Sequence, residues 1–323
     1  MIITRAPFRV SFCGGGSDLP HFYEKYGGCV LSTTIRKYMY LVLHESFNPN
    51  EIILKYSETE IVDDYSKIKH KIFRQCLSDM RVKGVSIASM ADIPAGTGLG
   101  SSSSFTVALL QLLYTYNGQF VSKYKIAKEA CEVEITKLGE PIGKQDQFAA
   151  AFGGLNFYEF LPNGFVNVEP IIMRPESYEK LEKNMMLFYL GGTHSASDIL
   201  KTQSKNIETR EKAEIQMKMC KLTHILKEEL QKNHVDSLGE LLNENWLLKK
   251  TLAEGISNSV IDATYDKAIK AGAIGGKLLG AGGAGFMLLY VPEERQNIVR
   301  SALGLRQIKF EMDNAGVSIV HVD

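Results

Sequence analysis

The chain of 323 residues contains one stretch whose residue types and spacing suit the binding of an anion. It reads Pro94-Ala95-Gly96-Thr97-Gly98-Leu99-Gly100-Ser101-Ser102-Ser103-Ser104 and runs straight into an apolar, helix-periodic segment. A glycine-rich turn that opens a helix leaves unpaired backbone N–H groups at the positive end of the helix dipole. Glycine lets that backbone approach an anion without Cβ obstruction, and hydroxyls add donors. Gly96, Thr97, Gly98, Gly100, Ser101, Ser102, Ser103 and Ser104 are therefore candidate ligands of an oligophosphate. The plain structural alternative is a Ser-capped helix after a flexible turn.

Two familiar phosphate loops do not fit. No lysine follows these glycines, as a G-x-x-x-x-G-K-[ST] loop requires. A G-x-G-x-x-G run does occur at Gly280, Gly282 and Gly285, but a helix is expected before it and a strand after it. Dinucleotide binding needs the opposite order. Two carboxylates offer further chemistry. Glu134 lies near the end of an expected helix, and Asp146 follows the tight turn Gly139-Glu140-Pro141-Ile142-Gly143, which can fold both into one pocket. One would accept a proton and the other hold a divalent cation, unless both are merely solvated charges near helix ends.

The elements that must position these groups follow from periodicity. Phe8 to Phe12, Tyr38 to His44, Ile52 to Tyr56 and Val85 to Met90 read as strands. A helix should follow Gly100 and stop at Gly118; a second should start at Ser122 as N-cap and end near Gly139. Its buried stripe is Ile126, Ala130 and Val133, with Glu132 and Glu134 off that stripe. Helices are expected over about 203–232, 236–252 and 258–271, then a strand at Phe286 to Val291. A short helix near 293–303 and strands near 306–311 and 316–322 close the chain. The change of character near residue 185 suggests two units, 1–184 and 185–323.

Three motifs resemble those of the GHMP kinases: Arg5-Ala6-Pro7-Phe8-Arg9-Val10 with its glycine turn and Asp18, the loop at 94–104, and Lys277-Leu278-Leu279-Gly280-Ala281-Gly282-Gly283-Ala284-Gly285-Phe286. They occur in the family's order. The resemblance implies an α+β fold of two domains, the N-terminal one like a ribosomal protein and the C-terminal one ferredoxin-like, with ATP and Mg²⁺ as cofactors. It implies Asp146 as the catalytic carboxylate, with Arg9 beside it to neutralise charge on the transferring phosphoryl group. It assigns Glu134 and Ser102 to the metal. Gly15, Gly16, Ser17, Asp18, Lys277 and Gly282 would meet the acceptor.

The first motif narrows that acceptor. In galactokinases the equivalent turn carries Gly-Glu-His-Thr-Asp; here it is Gly14-Gly15-Gly16-Ser17-Asp18. Loss of the bulky Glu and His opens space and removes a negative charge, which suits a larger sugar or one already phosphorylated. The whole pattern, with Gly143-Lys144-Gln145-Asp146-Gln147, is similar to the family members that phosphorylate the anomeric hydroxyl of D-glycero-α-D-manno-heptose 7-phosphate. Cationic partners for a substrate phosphate would be Lys277, Lys144, Arg174 or His194, each otherwise a solvated charge. A galactokinase- or fucokinase-like hexose 1-kinase and a non-catalytic sugar-binding regulator are the competing readings.

Composition bounds the rest. Lys+Arg and Asp+Glu are both 37, so no basic excess points to a nucleic-acid partner. No run approaches the roughly 18 apolar residues of a membrane span, and the N-terminus lacks a signal-peptide pattern. A cytoplasmic protein is expected, and its oligomeric state stays open. Cys13, Cys29, Cys76, Cys131 and Cys220 are odd in number, widely spaced and without a C-x-x-C pair, so reduced core thiols are expected.

Overall fold

The computed structural model describes residues 1–192, 196–207 and 209–323. Strand β1 (Ile2–Cys13) sends successive side chains to opposite faces, and both faces are covered. Phe8, Val10 and Phe12 enter the main core, while Arg9 and Ser11 share the other face and are buried too. Helix α1 (Pro20–Tyr26) leads to β2 (Gly28–Glu45), the long strand on which the first sheet is built. The hairpin β3 (Ile52–Lys55) and β4 (Thr59–Val62), helix α2 (Lys71–Met80) and strand β5 (Val85–Ala91) follow.

Helices α3 (Ser101–Tyr116), α4 (Lys123–Cys131) and α5 (Gln145–Phe152) pack together, with α3 against β1 and β2. Strands β6 (Asn156–Phe160) and β7 (Val166–Pro170) extend the sheet beside the N-terminal part of β2, and α6 (Pro175–Asn184) leads away from it.

A second, four-stranded antiparallel sheet begins with β8 (Met185–Gly191). Four helices precede its next strand: α7 (Ala196–Ile207), α8 (Arg210–Gln231), α9 (Ser237–Lys249) and α10 (Ser259–Ala271). Then come β9 (Gly275–Leu278), β10 (Gly285–Tyr290), α11 (Gln296–Leu303) and β11 (Arg306–Ile308). The spatial order β11-β8-β10-β9 is that of a ferredoxin-like unit. The chain then crosses back: β12 (Met312–Asp313) pairs with β2, and β13 (Ser318–Val322) with β1. The segment 185–323 thus lends its last two strands to the nine-stranded first sheet.

Two helices depart from the periodic reading. Ser122 does cap α4, its hydroxyl accepting from the Lys125 N–H at 3.2 Å, but the α-helix ends at Cys131. Glu132–Lys137 continues as a wider π-helical turn. The stretch expected as one helix over 203–232 is two, because the Thr209 hydroxyl caps a new start at Arg210. Cys13, Cys29, Cys76 and Cys131 are buried thiols, and Cys220 is partly exposed. Among the described residues no helix is long and apolar enough to cross a membrane.

Candidate active site

A cleft is lined by β1, the turn after it, the 96–103 loop, the start of α5, the end of α9 and the 277–284 segment. The loop forms as its glycines predict: Gly96, Gly98 and Gly100 all take left-handed φ values, 75°, 84° and 75°. Gly100 occupies the N-cap position of α3, and no side chain caps that helix. Its first N–H groups therefore stay available to a guest, which removes the Ser-capped alternative.

Gly98 is glycine for a second reason. A Cβ there would stand 2.5 Å from the Leu279 carbonyl oxygen, and one on Gly280 would stand 2.6 Å from the Gly98 Cα. The 280–285 glycines thus allow backbone-on-backbone contact between two loops. They follow β9 and enter β10, so they open no helix and form no dinucleotide fingerprint.

Arg9 and Asp146 meet in a fork. Arg9 Nε donates to Asp146 Oδ1 at 2.6 Å and Nη2 to Oδ2 at 2.9 Å, while Nη1 donates to the Gly98 carbonyl at 2.5 Å. The backbone N–H of Arg9 also reaches the Leu99 carbonyl, at 3.1 Å. The guanidinium is buried and Asp146 keeps about a fifth of its side chain exposed toward the cleft.

Glu134 lies behind this pair. Its Oε1 accepts from Ser102 Oγ at 2.6 Å and its Oε2 from Gln147 Nε2 at 2.8 Å. The stripe Ile126, Ala130 and Val133 had left Glu134 off the buried face; the π-helical turn shifts the register and carries it inward. Burial pushes its carboxyl above the ordinary value, and the hydrogen bonds from Ser102 and Gln147 oppose that shift. The Asp146 charge raises it further. The amide oxygen of Gln147, Oε1, is buried without a partner among the described residues. One carboxylate, one hydroxyl and an orphan amide oxygen make an all-oxygen donor set, the kind a hard divalent cation accepts.

At the other end of the cleft, Asp18 is buried at the turn after β1. Its Oδ1 accepts from the Gly16 N–H at 3.0 Å and from Gln145 Nε2 at 3.2 Å; its Oδ2 accepts from the Gln145 N–H at 3.2 Å. Burial, then the Asp146 charge, raise its carboxyl. Lys277 Nζ donates to Ser11 Oγ at 3.2 Å. Lys249 Nζ donates to the Gly15 carbonyl at 3.0 Å and to Gln203 Oε1 at 3.5 Å.

The cleft gathers most of the residues singled out from sequence: Arg9, Gly15, Gly16, Asp18, Gly96, Gly98, Gly100, Ser101, Ser102, Ser103, Asp146, Lys277 and Gly282. Others turn away, each for a local reason. The Thr97 hydroxyl closes its own turn on the Pro94 carbonyl at 2.9 Å. Ser104 Oγ anchors α3 to the Pro7 carbonyl of β1 at 2.9 Å. Ser17 Oγ is exchanged with the backbone of Cys29, donating at 2.8 Å and accepting at 2.9 Å, and so pins the turn to β2. Lys144 reaches the Gly164 carbonyl at 2.9 Å and lies over the Tyr23 ring, and Arg174 is exposed ahead of α6. His194 falls outside the described residues.

Of the two glycines expected to open space, Gly15 does so, a Cβ there meeting only Gln145 Nε2 at 3.8 Å and Lys249 Nζ at 4.0 Å, whereas Gly16 does not. A Cβ on Gly16 would stand 2.2 Å from Gln203 Nε2, so the missing side chain admits that amide from α7. Lys249, Gln145, Gln147 and Ser11 escaped the sequence reading. For Lys249 a signal existed: Leu238, Leu242, Asn245, Trp246 and Lys249 recur at helical spacing on α9, and all are buried. A lysine ending such a stripe is directed inward. Ser11 was equally legible, two residues beyond Arg9 on the same strand face.

Residues 65–154 match the family described as GHMP kinases N terminal domain, and residues 226–305 match GHMP kinases C terminal. The D-glycero-alpha-D-manno-heptose 7-phosphate kinase of Campylobacter jejuni is 31% identical over 314 residues, 93% of this chain and 92% of that protein. A bifunctional fucokinase/GDP-fucose pyrophosphorylase of Arabidopsis thaliana is 28% identical over 309 residues, 88% of this chain but 29% of that protein. The crystal structure of a D-glycero-D-manno-heptose 1-phosphate kinase from Bacteroides thetaiotaomicron superposes over 100% of both chains with a TM-score of 0.81 and 28% identity. The chain belongs to the GHMP kinases, with their two-domain fold, as an ATP-dependent sugar kinase.

Proposed function

We propose that this enzyme transfers the γ-phosphoryl group of ATP to the anomeric hydroxyl of D-glycero-α-D-manno-heptose 7-phosphate, giving the 1,7-bisphosphate. The observation that carries the reading is the Arg9–Asp146 fork tied to the Gly98 carbonyl. It fixes a carboxylate relative to the loop that cradles the phosphates, so acceptor and donor are held in one frame. Asp146 takes the hydroxyl proton as the acceptor oxygen bonds to the γ-phosphorus and the bond to the ADP oxygen breaks. Arg9 orients that carboxylate and offsets charge growing on the phosphoryl oxygens. The open N–H groups of α3 hold the nucleotide phosphates.

Ser102 and Glu134 would hold Mg²⁺, which when bound neutralises phosphate charge. The buried Glu134 carboxylate, beside the Ser102 hydroxyl and the Gln147 amide oxygen, suits that role. Asp18 fixes sugar hydroxyls and Lys277 meets the substrate phosphate. The nucleotide is taken mainly by 1–184, and 185–323 closes the acceptor side.

The names of the Campylobacter and Bacteroides relatives favour a heptose phosphate; the Arabidopsis relative favours an unphosphorylated hexose. An inert regulator would have no need of the intact Asp146, Arg9, Ser102 and Glu134. The test is ATP consumption with Mg²⁺ on heptose 7-phosphate, heptose 1-phosphate, free heptose, mannose, fucose and galactose, with the new phosphate located by NMR. Turnover on the 7-phosphate with a product phosphorylated at C1 supports the reading. Turnover on a free hexose instead would replace it with the hexose 1-kinase, and no turnover on any sugar would sink the catalytic reading.

A further inference from the structure

We infer that Lys249 and Lys277, with the Gln203 amide, form a dedicated anion subsite that receives the phosphate already borne by the acceptor sugar. The inference rests on the sugar-phosphate reading above and names its recognition device. Lys249 comes from α9, Gln203 from α7 and Lys277 from β9, so three distant segments converge behind the Gly14-Gly15-Gly16 turn.

The protein gathers cationic and amide donors in this corner, where Gln216 Oε1 beside Gly16 is a neutral buried acceptor without a partner among the described residues. Both lysines line the cleft and are at least 95% buried. Neither forms an ion pair among the described residues; their hydrogen-bond acceptors are the neutral Ser11 hydroxyl, the Gly15 carbonyl and the Gln203 amide oxygen. Each ammonium carries three N–H donors, so donors remain unspent, and Gln203 Nε2 is buried with no partner among the described residues. The nearby Asp18 carboxylate is occupied by Gly16 and Gln145. The Asp18 charge acts on both lysines from a distance but no carboxylate among the described residues touches either, and two buried like charges so placed are costly; an anion accepting from both offsets that cost. Burial and mutual repulsion depress Lys277 to about 7, and burial depresses Lys249 to about 8, in the cleft as it stands.

The spacing selects a remote phosphate. Ser11, which holds Lys277, lies two residues along β1 from Arg9, which holds Asp146. Two residues of strand span about 7 Å. The acceptor hydroxyl at Asp146 and an anion at Lys277 are thus held from two different anchor points on one strand face, as a sugar with a remote phosphate requires.

Lys249→Met and Lys277→Met should be compared with wild type on heptose 7-phosphate and on free heptose at saturating ATP. In each variant the ratio of kcat/KM for the phosphorylated over the free sugar should fall by roughly 30-fold, the size of one charge-assisted hydrogen bond, chiefly through KM. Lys249→Arg should retain more of the ratio than Lys249→Met. An unchanged ratio, or a loss that appears in the KM for ATP instead, overturns the subsite. A wild type that does not favour the 7-phosphate overturns the sugar-phosphate reading and the subsite with it. A wild type that favours it while both variants keep the ratio overturns the subsite alone. Independently of any variant, inorganic phosphate should compete with the phosphorylated sugar; inhibition directed only at ATP overturns the subsite as well.

Discussion

The two ends of the cleft are built on opposite principles. At the end formed by Arg9, Asp146, Gly98, Ser102 and Glu134, charged groups find partners within the protein, and both oxygens of each carboxylate accept hydrogen bonds. At the end formed by Lys249, Lys277 and Gln203, cations are buried with neutral acceptors and, among the described residues, an amide N–H has no partner. A network whose charged groups are already paired holds its geometry before substrate arrives, which is what a transition state needs. A network short of one anion gains most of its stability when that anion binds, which is what discrimination needs. Chemistry and selectivity are therefore placed on different side chains of one cleft.

The largest effect should come from breaking the satisfied end. Asp146→Asn keeps the shape but cannot take a proton, and kcat should fall about 10³-fold with the KM for ATP little changed. Steady-state kinetics in both substrates checks this, and near-normal turnover would contradict the role. Glu134→Gln should raise the Mg²⁺ concentration needed for half-maximal rate by about 10–100-fold. A Mg²⁺ titration with an unshifted midpoint would remove Glu134 from the metal site.

The under-satisfied end should respond to pH instead. The ammonium groups of Lys249 and Lys277 face each other, Arg9, Asp18 and the Cys13 thiol. Burial and the neighbouring cations let them hold their protons only below about 7 to 8, so the KM for a phosphorylated acceptor should rise above pH 8. The increase should be up to about tenfold per pH unit for each lysine that titrates, and free sugar should show no such rise.

Stability carries the matching sign. The unfolded chain, whose lysines titrate near 10.5, binds more protons than the folded one between about 7 and 10.5. The lysine contribution to stability is therefore unfavourable below 7 and is relieved as pH rises toward 10.5. Lys277→Met should flatten that rise in Tm across pH 7 to 9, and a parallel curve would argue that the lysine pays no burial cost. Smallest of all, Gly98→Ala must strain a left-handed φ and displace the Leu279 carbonyl. A loss of about 1–3 kcal/mol is expected from denaturant unfolding, and a neutral variant would mean the two glycine loops can move apart.

What was legible in the chain reflects the range of the interactions involved. The alternation in β1 places Arg9 on a cleft-facing side, and the spacing of Gly96, Gly98 and Gly100 requires the backbone they adopt, because both effects act over a few residues. Glu134 was marked by resemblance, yet periodicity turned it outward, since a π-helical turn leaves no mark in a 3.6-residue pattern. Thr97, Ser104 and Ser17 sit inside the expected motifs, but their hydroxyls serve the folding of the loops themselves. Among the proposed cationic partners, Lys277 faces the cleft while Lys144 and Arg174 do not; a lysine's spacing says little about where its flexible stem is drawn.

By itself the sequence determined the local conformations: a glycine loop in the left-handed region, a strand with Arg9 and Ser11 on one face, and Ser122 as a cap. Tertiary structure alone decided which distant groups meet. It set Gly98 against Leu279, Glu134 between Ser102 and Gln147, and Lys249 on the Gly15 carbonyl near Gln203. The physical reason is that local backbone preference is settled within a turn or two. A buried charge acquires its neighbours only when whole elements pack, and here those elements come from both ends of the chain.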